Sequence, residues 1–322
     1  IAEACVRAGT HYIDNSGFPG DVWAAKPVYE NLNSRAVEAG VSLVYFSGLG
    51  VTLCDFAARV LAEHMLEEHG LHTRRIDAYE ISHGGRITGT IMLAARGPDG
   101  FDATLKKDGY FFLGGVPRGG LQEEDDENSA KPVLDQYSGM WAALSEIPEM
   151  VAVRCSYGLS RKTAPYYGDN FRFRIWMLHG NQADASMNSL RIGNRFLRRG
   201  YEKHISMNKI PGPGQGPCER MRKEAMCTRI LVAEADENEV GKGRRAHIVV
   251  NPGPGGLSDH QEGTAIVTLE AAGCILDVLD GNINNRHSTG LTPGFGTPTY
   301  HLAQFGFRGR LAARGYTLKV LE

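Results

Sequence analysis

The chain has 322 residues, 42% hydrophobic and 22% charged, a composition that supports a sizeable packed core and excludes a disordered polymer. With 35 basic against 37 acidic residues the net charge is −2, so nothing in the overall electrostatics points to nucleic acid or an anionic membrane. The six cysteines (5, 54, 155, 218, 227 and 274) form no C-x-x-C pair and match no zinc spacing, and they read as reduced thiols. No apolar run reaches the roughly 18 residues of a spanning helix, and no basic-then-apolar signal peptide opens the chain. The expectation is a soluble protein of the cytoplasm without a transmembrane segment, with peripheral membrane attachment left open.

In chain order, residues 1–8 read as the end of an amphipathic helix stopped by Gly9. THYID (10–14) is a short strand running into the polar loop NSGFPGD. Helical spacing returns from Pro27 to Ala39, and VSLVYF (41–46) is a continuous apolar run of the kind expected of a parallel strand buried on both faces. SGLGVTLCD (47–55) reads as a loop, followed by a helix from about Phe56 to His69 closed by Gly70. Helix, strand, helix, strand, helix with short loops is the rhythm of a doubly wound sheet. Such sheets place ligands at the carboxyl ends of their strands, so NSGFPGD and SGLGVTLCD are the loops expected to carry chemistry.

Beyond residue 72 the rhythm changes. RRIDAYEIS reads as a strand and GGRITGTIMLAAR (84–96) as a glycine-rich entry into a helix. DNFRFRIWML (169–178) alternates as a half-buried antiparallel strand does, and 227–236 with 244–251 form a strand pair. A helix covers about Glu262 to Leu279, and a helix and strand close the chain. The acidic stretch LQEEDDENSAK (121–131) and the stiff PGPGQGP (211–217) read as surface connections, and the basic run 195–204 as a solvated helix face.

Several familiar chemistries lack their residues. GPGQGP and NPGPGG carry prolines where a phosphate cradle needs N–H groups, and no Lys-Ser/Thr follows. There is no G-x-S-x-G elbow, no H-E-x-x-H and no tyrosine with a lysine four residues on. No metal site is expected.

The segments EACVRAGTHYIDNSG, VSLVYFSGLGVTLCD and GLTPGFGTPTYHLAQFGFRGRLAARGYTLKVLE, with YGDNFRFRIWM, PGPGQGPCERMRKE and GTAIVTLEAAGCIL between them, resemble in the same order the saccharopine dehydrogenase-like oxidoreductases. The branch they resemble is the trans-acting enoyl reductase-like one. The resemblance implies α/β plus α+β architecture: the second half of a Rossmann-like parallel sheet, then a larger α+β domain with a mainly antiparallel sheet. It divides the chain into 1–72, the C-terminal part of an NAD(P)-binding domain; 73–290, a substrate and dimerisation domain; and 291–322, a helix and strand packing back on the first. Family chains begin about ninety residues earlier, with a strand and a G-x-x-G-x-x-G turn, and this sequence has no such turn. The expectation is therefore either a fragment or a chain that has lost that unit.

Carried over by position, Asp14, Gly17 and Gly48 are the cofactor-binding candidates, for NADP or NAD, and Tyr12, Asp14 and Asp55 the catalytic candidates. Two readings stand for each. Asp14 holds cofactor or only loop amides; Asp55 acts chemically or only N-caps the helix after it. Gly17 and Gly48 approach a ligand or only supply a positive φ. The family's F-D-S-x-P has become Leu49-Gly50-Val51-Thr52-Leu53. Two functions follow: a reductase passing hydride to a small-molecule or lipid-type substrate, with a homodimer as the candidate assembly, or a truncated or degenerate non-catalytic relative that binds a partner. No role with nucleic acid is expected.

Overall fold

The computed structural model describes residues 1–16, 19–83, 131–144, 148–161, 166–186, 203, 205–207, 211–235, 244–251, 260–283 and 290–321. Gly17, GGRITGTIMLAAR, the acidic loop up to 130, and nearly all of the basic run and of NPGPGG lie outside the described residues.

The first layer is a small parallel sheet. Helix α1 (Ala2–Ala8) ends on Gly9 at φ 66, a left-handed position that glycine occupies without a Cβ penalty. Strand β1 (Tyr12–Ile13) then pairs parallel with β2 (Ser42–Val44), Tyr12 opposite Leu43 and Ile13 opposite Val44. Helix α2 (Pro19–Glu38) connects them, running through Pro27 where the sequence places a helix start. On the far side of β2 lies β9 (Gly294–Gly296), also parallel, from the C-terminal part of the chain. Ser42, Leu43 and Val44 are wholly buried, as a strand covered on both faces must be, and the Ser42 hydroxyl donates to the Thr292 carbonyl at 2.7 Å.

Helix α3 spans Leu49–His69, two turns longer than the expected helix, and ends on Gly70 at φ 66. The supposed loop SGLGVTLCD is thus mostly helix. Every residue from Leu49 to Ala58 is buried, because α3 packs on the second sheet and against three helices at once. Burying Leu49, Val51, Leu53 and Phe56 stabilises by about 1.5–3 kcal/mol each, which outweighs the ~1 kcal/mol that Gly50 costs in a helix.

The second layer is a seven-stranded, mainly antiparallel sheet. Its strands are β3 (Thr73–His83), β4 (Val133–Leu134), β5 (Trp141–Leu144), β6 (Tyr167–His179), β7 (Met226–Ala235), β8 (Arg245–Asn251) and β10 (Thr317–Leu321). They lie in the order β10-β8-β7-β3-β6-β5-β4. All neighbours are antiparallel except β3 and β6, whose parallel pairing needs a crossover, which includes α4 (Pro148–Ser160). The alternating strand expected as antiparallel is β6, antiparallel to β5 but parallel to β3.

Further helices among the described residues include α5 (Glu219–Lys223), α6 (His260–Leu279), α7 (Pro298–Leu302) and α8 (Phe307–Ala313). The C-terminal segment divides between the layers: β9 completes the small sheet, whereas β10 forms an edge of the large one beside β8. No helix among the described residues is long and apolar enough to cross a membrane.

Candidate functional site

The carboxyl edge of the small sheet is organised by Asp14, the residue after β1. Its backbone N–H donates to the Val44 carbonyl at 3.1 Å, and its own carbonyl accepts from Ser47 N–H at 3.0 Å. The ends of β1 and β2 are thereby tied together. On the half-buried side chain, Oδ1 accepts from Ser16 N–H at 3.0 Å and Ser16 Oγ–H at 2.5 Å, and Oδ2 accepts from the Tyr12 hydroxyl at 2.9 Å. Burial raises the Asp14 carboxyl above its ordinary range, opposed by the bonds from Ser16 and Tyr12. Burial and then the Asp14 charge push the Tyr12 phenol well up, so Tyr12 is protonated at neutral pH.

Aromatic rings floor this edge. Tyr12 lies 5.3 Å from Tyr45, which stacks on Phe295 of β9 at 4.7 Å, and Tyr29 of α2 meets Phe295 edge-on at 5.5 Å. Phe46 takes φ 68, a left-handed conformation uncommon for a bulky residue. It turns the chain out of β2 so that Ser47 and Gly48 meet the start of α3, and VSLVYF therefore stops being a strand at Val44.

Gly48 is the N-cap of α3 at φ −74, so it does not supply a positive φ. A Cβ there would meet Asn15 O at 3.6 Å and Thr264 Cγ2 at 3.7 Å, ordinary contacts. The cap comes from elsewhere: Leu49 N–H donates to Thr264 Oγ1 of α6 at 3.2 Å. Thr268 Oγ1, one turn on, donates to the Ser47 carbonyl at 3.0 Å. Gly17 lies outside the described residues.

Asp55 is neither at the mouth of a site nor an N-cap. It sits in the middle of α3's buried stretch with no solvent exposure, facing Ser156 of α4 and Thr297 at the head of α7. Of the sequence candidates, Tyr12, Asp14 and Gly48 share one edge. Asp55 belongs to the core beneath it.

A second buried polar cluster carries no signal in the sequence. Arg229 of β7 donates from Nε to Glu80 Oε2 at 2.6 Å, from Nη2 to Glu149 Oε1 at 2.7 Å, and from Nη1 to the Gly50 carbonyl. It joins β7, β3, α4 and the first turn of α3. Gly50 is small for this reason: a Cβ would lie 2.9 Å from Glu149 Oε1.

The edge fits part of a nicotinamide dinucleotide. Asp14 Oδ2 accepts one bond and keeps a lone pair for a ribose hydroxyl or carboxamide N–H, whereas Tyr45 and Phe295 are buried against each other and offer a ligand no open ring face. The first N–H of α3 is committed to Thr264, so that donor is not available to a pyrophosphate. No group of three or more His, Cys, Asp or Glu side chains among the described residues could hold a metal ion.

The molecule is thus an α/β protein in which a small parallel sheet is followed by a larger, mainly antiparallel one. No family model and no curated protein matches the chain. Among solved structures it is similar to apo histidine-tagged saccharopine dehydrogenase (L-Glu forming) from Saccharomyces cerevisiae, with 12% identity and a TM-score of 0.43. That match covers 100% of this chain and 82% of the other.

Proposed function

We propose that the chain is an NAD(P)-dependent oxidoreductase of the saccharopine dehydrogenase-like kind, enoyl reductase-like. On this reading it moves a hydride from nicotinamide to a carbon–carbon double or imine-like bond of a small or lipid-type substrate. The observation that carries the reading is the Tyr12–Asp14 pair at the carboxyl edge of adjacent parallel strands, where open α/β sheets bind ligands. The order of motifs along the chain supports it by resemblance, a warrant of analogy. When bound, the cofactor supplies the hydride. Asp14 Oδ2 holds the nicotinamide-ribose end, and Tyr12 orients that carboxylate. Tyr12 is a poor proton donor, because a phenolate beside Asp14 would put two negative charges 2.9 Å apart. Residues 1–72 serve the cofactor and 73–290 the substrate and a homodimer contact, in the cytoplasm.

The experiment is a titration of the full chain with NADPH and with NADH, followed by nicotinamide fluorescence. A saturable change below about 1 mM is expected, in the range of ordinary enzyme affinities. No change there contradicts the reading.

A second reading, a non-catalytic relative that binds a partner, draws support from Asp55. A carboxyl with no solvent exposure, tied to hydroxyls of two other helical elements, does not reach a substrate. Cofactor binding without turnover across enoyl and imine substrates would favour it.

A further inference from the structure

Three oxygens in the core are in mutual contact. Asp55 Oδ2 of α3 lies 2.6 Å from Ser156 Oγ of α4 and 2.8 Å from Thr297 Oγ1, and the two hydroxyl oxygens are 2.6 Å apart. Each of these contacts is short enough to need a proton between its oxygens. The two hydroxyls supply only two. With Asp55 ionised, one contact sets lone pair against lone pair; with Asp55 protonated, each oxygen donates once and accepts once, and the ring closes.

The other carboxyl oxygen agrees. Asp55 Oδ1 makes no hydrogen bond of good geometry, although the Thr299 hydroxyl, itself buried and unpartnered, is near enough to favour the charged form. A poorly satisfied oxygen is tolerable for a neutral carbonyl and costly for half of a carboxylate. Facing the carboxyl are Arg59 and Cys54 from α3, Cys155 from α4, Thr299 from α7, and Tyr166 and Tyr167 at the start of β6. Of these only Arg59 brings a charge that favours ionisation. Its Nε is committed to Glu63 at 2.7 Å and its Nη1 to the Thr299 carbonyl at 3.3 Å. Burial pushes the Asp55 carboxyl up to about 6, opposed by Ser156, Thr299, Thr297 and Arg59.

We infer that Asp55 carries a proton in the folded chain, closing a three-oxygen ring with Ser156 and Thr297, and that losing this proton as pH rises opens the ring. Thr297 follows the last residue of β9 and caps α7 through Tyr300 N–H at 3.2 Å. The ring therefore pins the end of the small sheet to α3 and α4. It is a pH-sensitive latch under the sheet edge, independent of whether that edge binds a dinucleotide.

The test is made on the full chain with isotope-labelled aspartate. Infrared spectra at about pH 5 should contain a protonated-carboxyl band that is absent from Asp55→Asn, displaced in Ser156→Ala, and lost by about pH 8. In parallel denaturant titrations, the unfolding constant of the wild type should rise about tenfold more than that of Asp55→Asn between those pH values. Should Asp55→Asn fail to fold, Ser156→Ala decides, since it keeps the carboxyl and removes one ring member. An absent band, a band unmoved by Ser156→Ala, or parallel pH dependence of wild type and Asp55→Asn overturns the inference.

Discussion

Arg229 and Glu80 occupy directly paired positions on β7 and β3, and Arg229 Nε donates to Glu80 Oε2 at 2.6 Å with both side chains almost wholly buried. Burial alone would lower the guanidinium pKa. Glu80 and then Glu149 outweigh it and raise it well above its ordinary value. A buried charge so paired is costly to orphan. Arg229→Ala leaves two carboxylates without their cation and should cost about 3–5 kcal/mol, read from urea unfolding midpoints. Glu149→Gln, which keeps the shape and Glu80, should cost less. A loss for Arg229→Ala below about 1 kcal/mol would mean that the cluster is solvated and does not tie the layers together.

The two glycines at the head of α3 should respond in opposite ways. A methyl at Gly48 meets only ordinary contacts, so Gly48→Ala should change stability by less than about 1 kcal/mol. At Gly50 it would press on Glu149 Oε1 at 2.9 Å and Arg229 Nη2 at 3.2 Å, both held by mutual bonding. Gly50→Ala should therefore destabilise by about 1–3 kcal/mol despite alanine's better helix propensity. Equal effects of the two substitutions in calorimetry would refute the packing assigned to Arg229.

That contrast marks what the sequence makes legible. Gly9 and Gly70 close helices where local pattern puts them, β2 appears as an apolar run, and β7 with β8 appears as a strand pair. Each of these signals lies within a few residues of the element it specifies. The first two turns of α3 are invisible because their support is distant. The cap is Thr264, 215 positions along the chain, and the Gly50 carbonyl is held by Arg229, 179 positions away. Asp55 misleads for the same reason. A polar residue just before a strong helical pattern looks like an N-cap, and nothing local announces Ser156 and Thr297, 101 and 242 positions on. Tyr12 and Asp14 are legible as neighbours because they stand only two positions apart in the chain.

His301 gives a pH dependence of known sign. Burial, opposed by the Thr292 and Leu43 carbonyls, pushes its pKa down from 6.5 to about 4. The unfolded chain then binds a proton that the folded chain refuses, so this contribution is present above pH 6.5 and lost as pH falls through about 4. Between about pH 7.5 and pH 4.5 the wild type should lose roughly 2–3 kcal/mol relative to His301→Gln. Asp55, with its raised pKa, acts in the opposite direction over the same window, so each residue is measured against its own variant. Parallel curves for wild type and His301→Gln in denaturant titrations would exclude a neutral buried imidazole.

Tyr12→Phe removes the phenol that orients Asp14 while keeping the ring against Tyr45. It should cost about 1 kcal/mol in stability and weaken NADPH binding several-fold. Unchanged affinity, measured by nicotinamide fluorescence, would separate Tyr12 from the site.

The most direct measurement compares NADPH affinity in the wild type with Asp14→Ala and Asp55→Asn by equilibrium fluorescence titration. A hydrogen bond to a carboxylate is worth about 1.5–3 kcal/mol, so Asp14→Ala should weaken binding by roughly 10- to 100-fold. Asp55→Asn, altered only in the core, should change it little below about pH 6, where the wild-type latch is closed. Wild-type affinity in Asp14→Ala would contradict the placement of the dinucleotide at the carboxyl edge of β1 and β2.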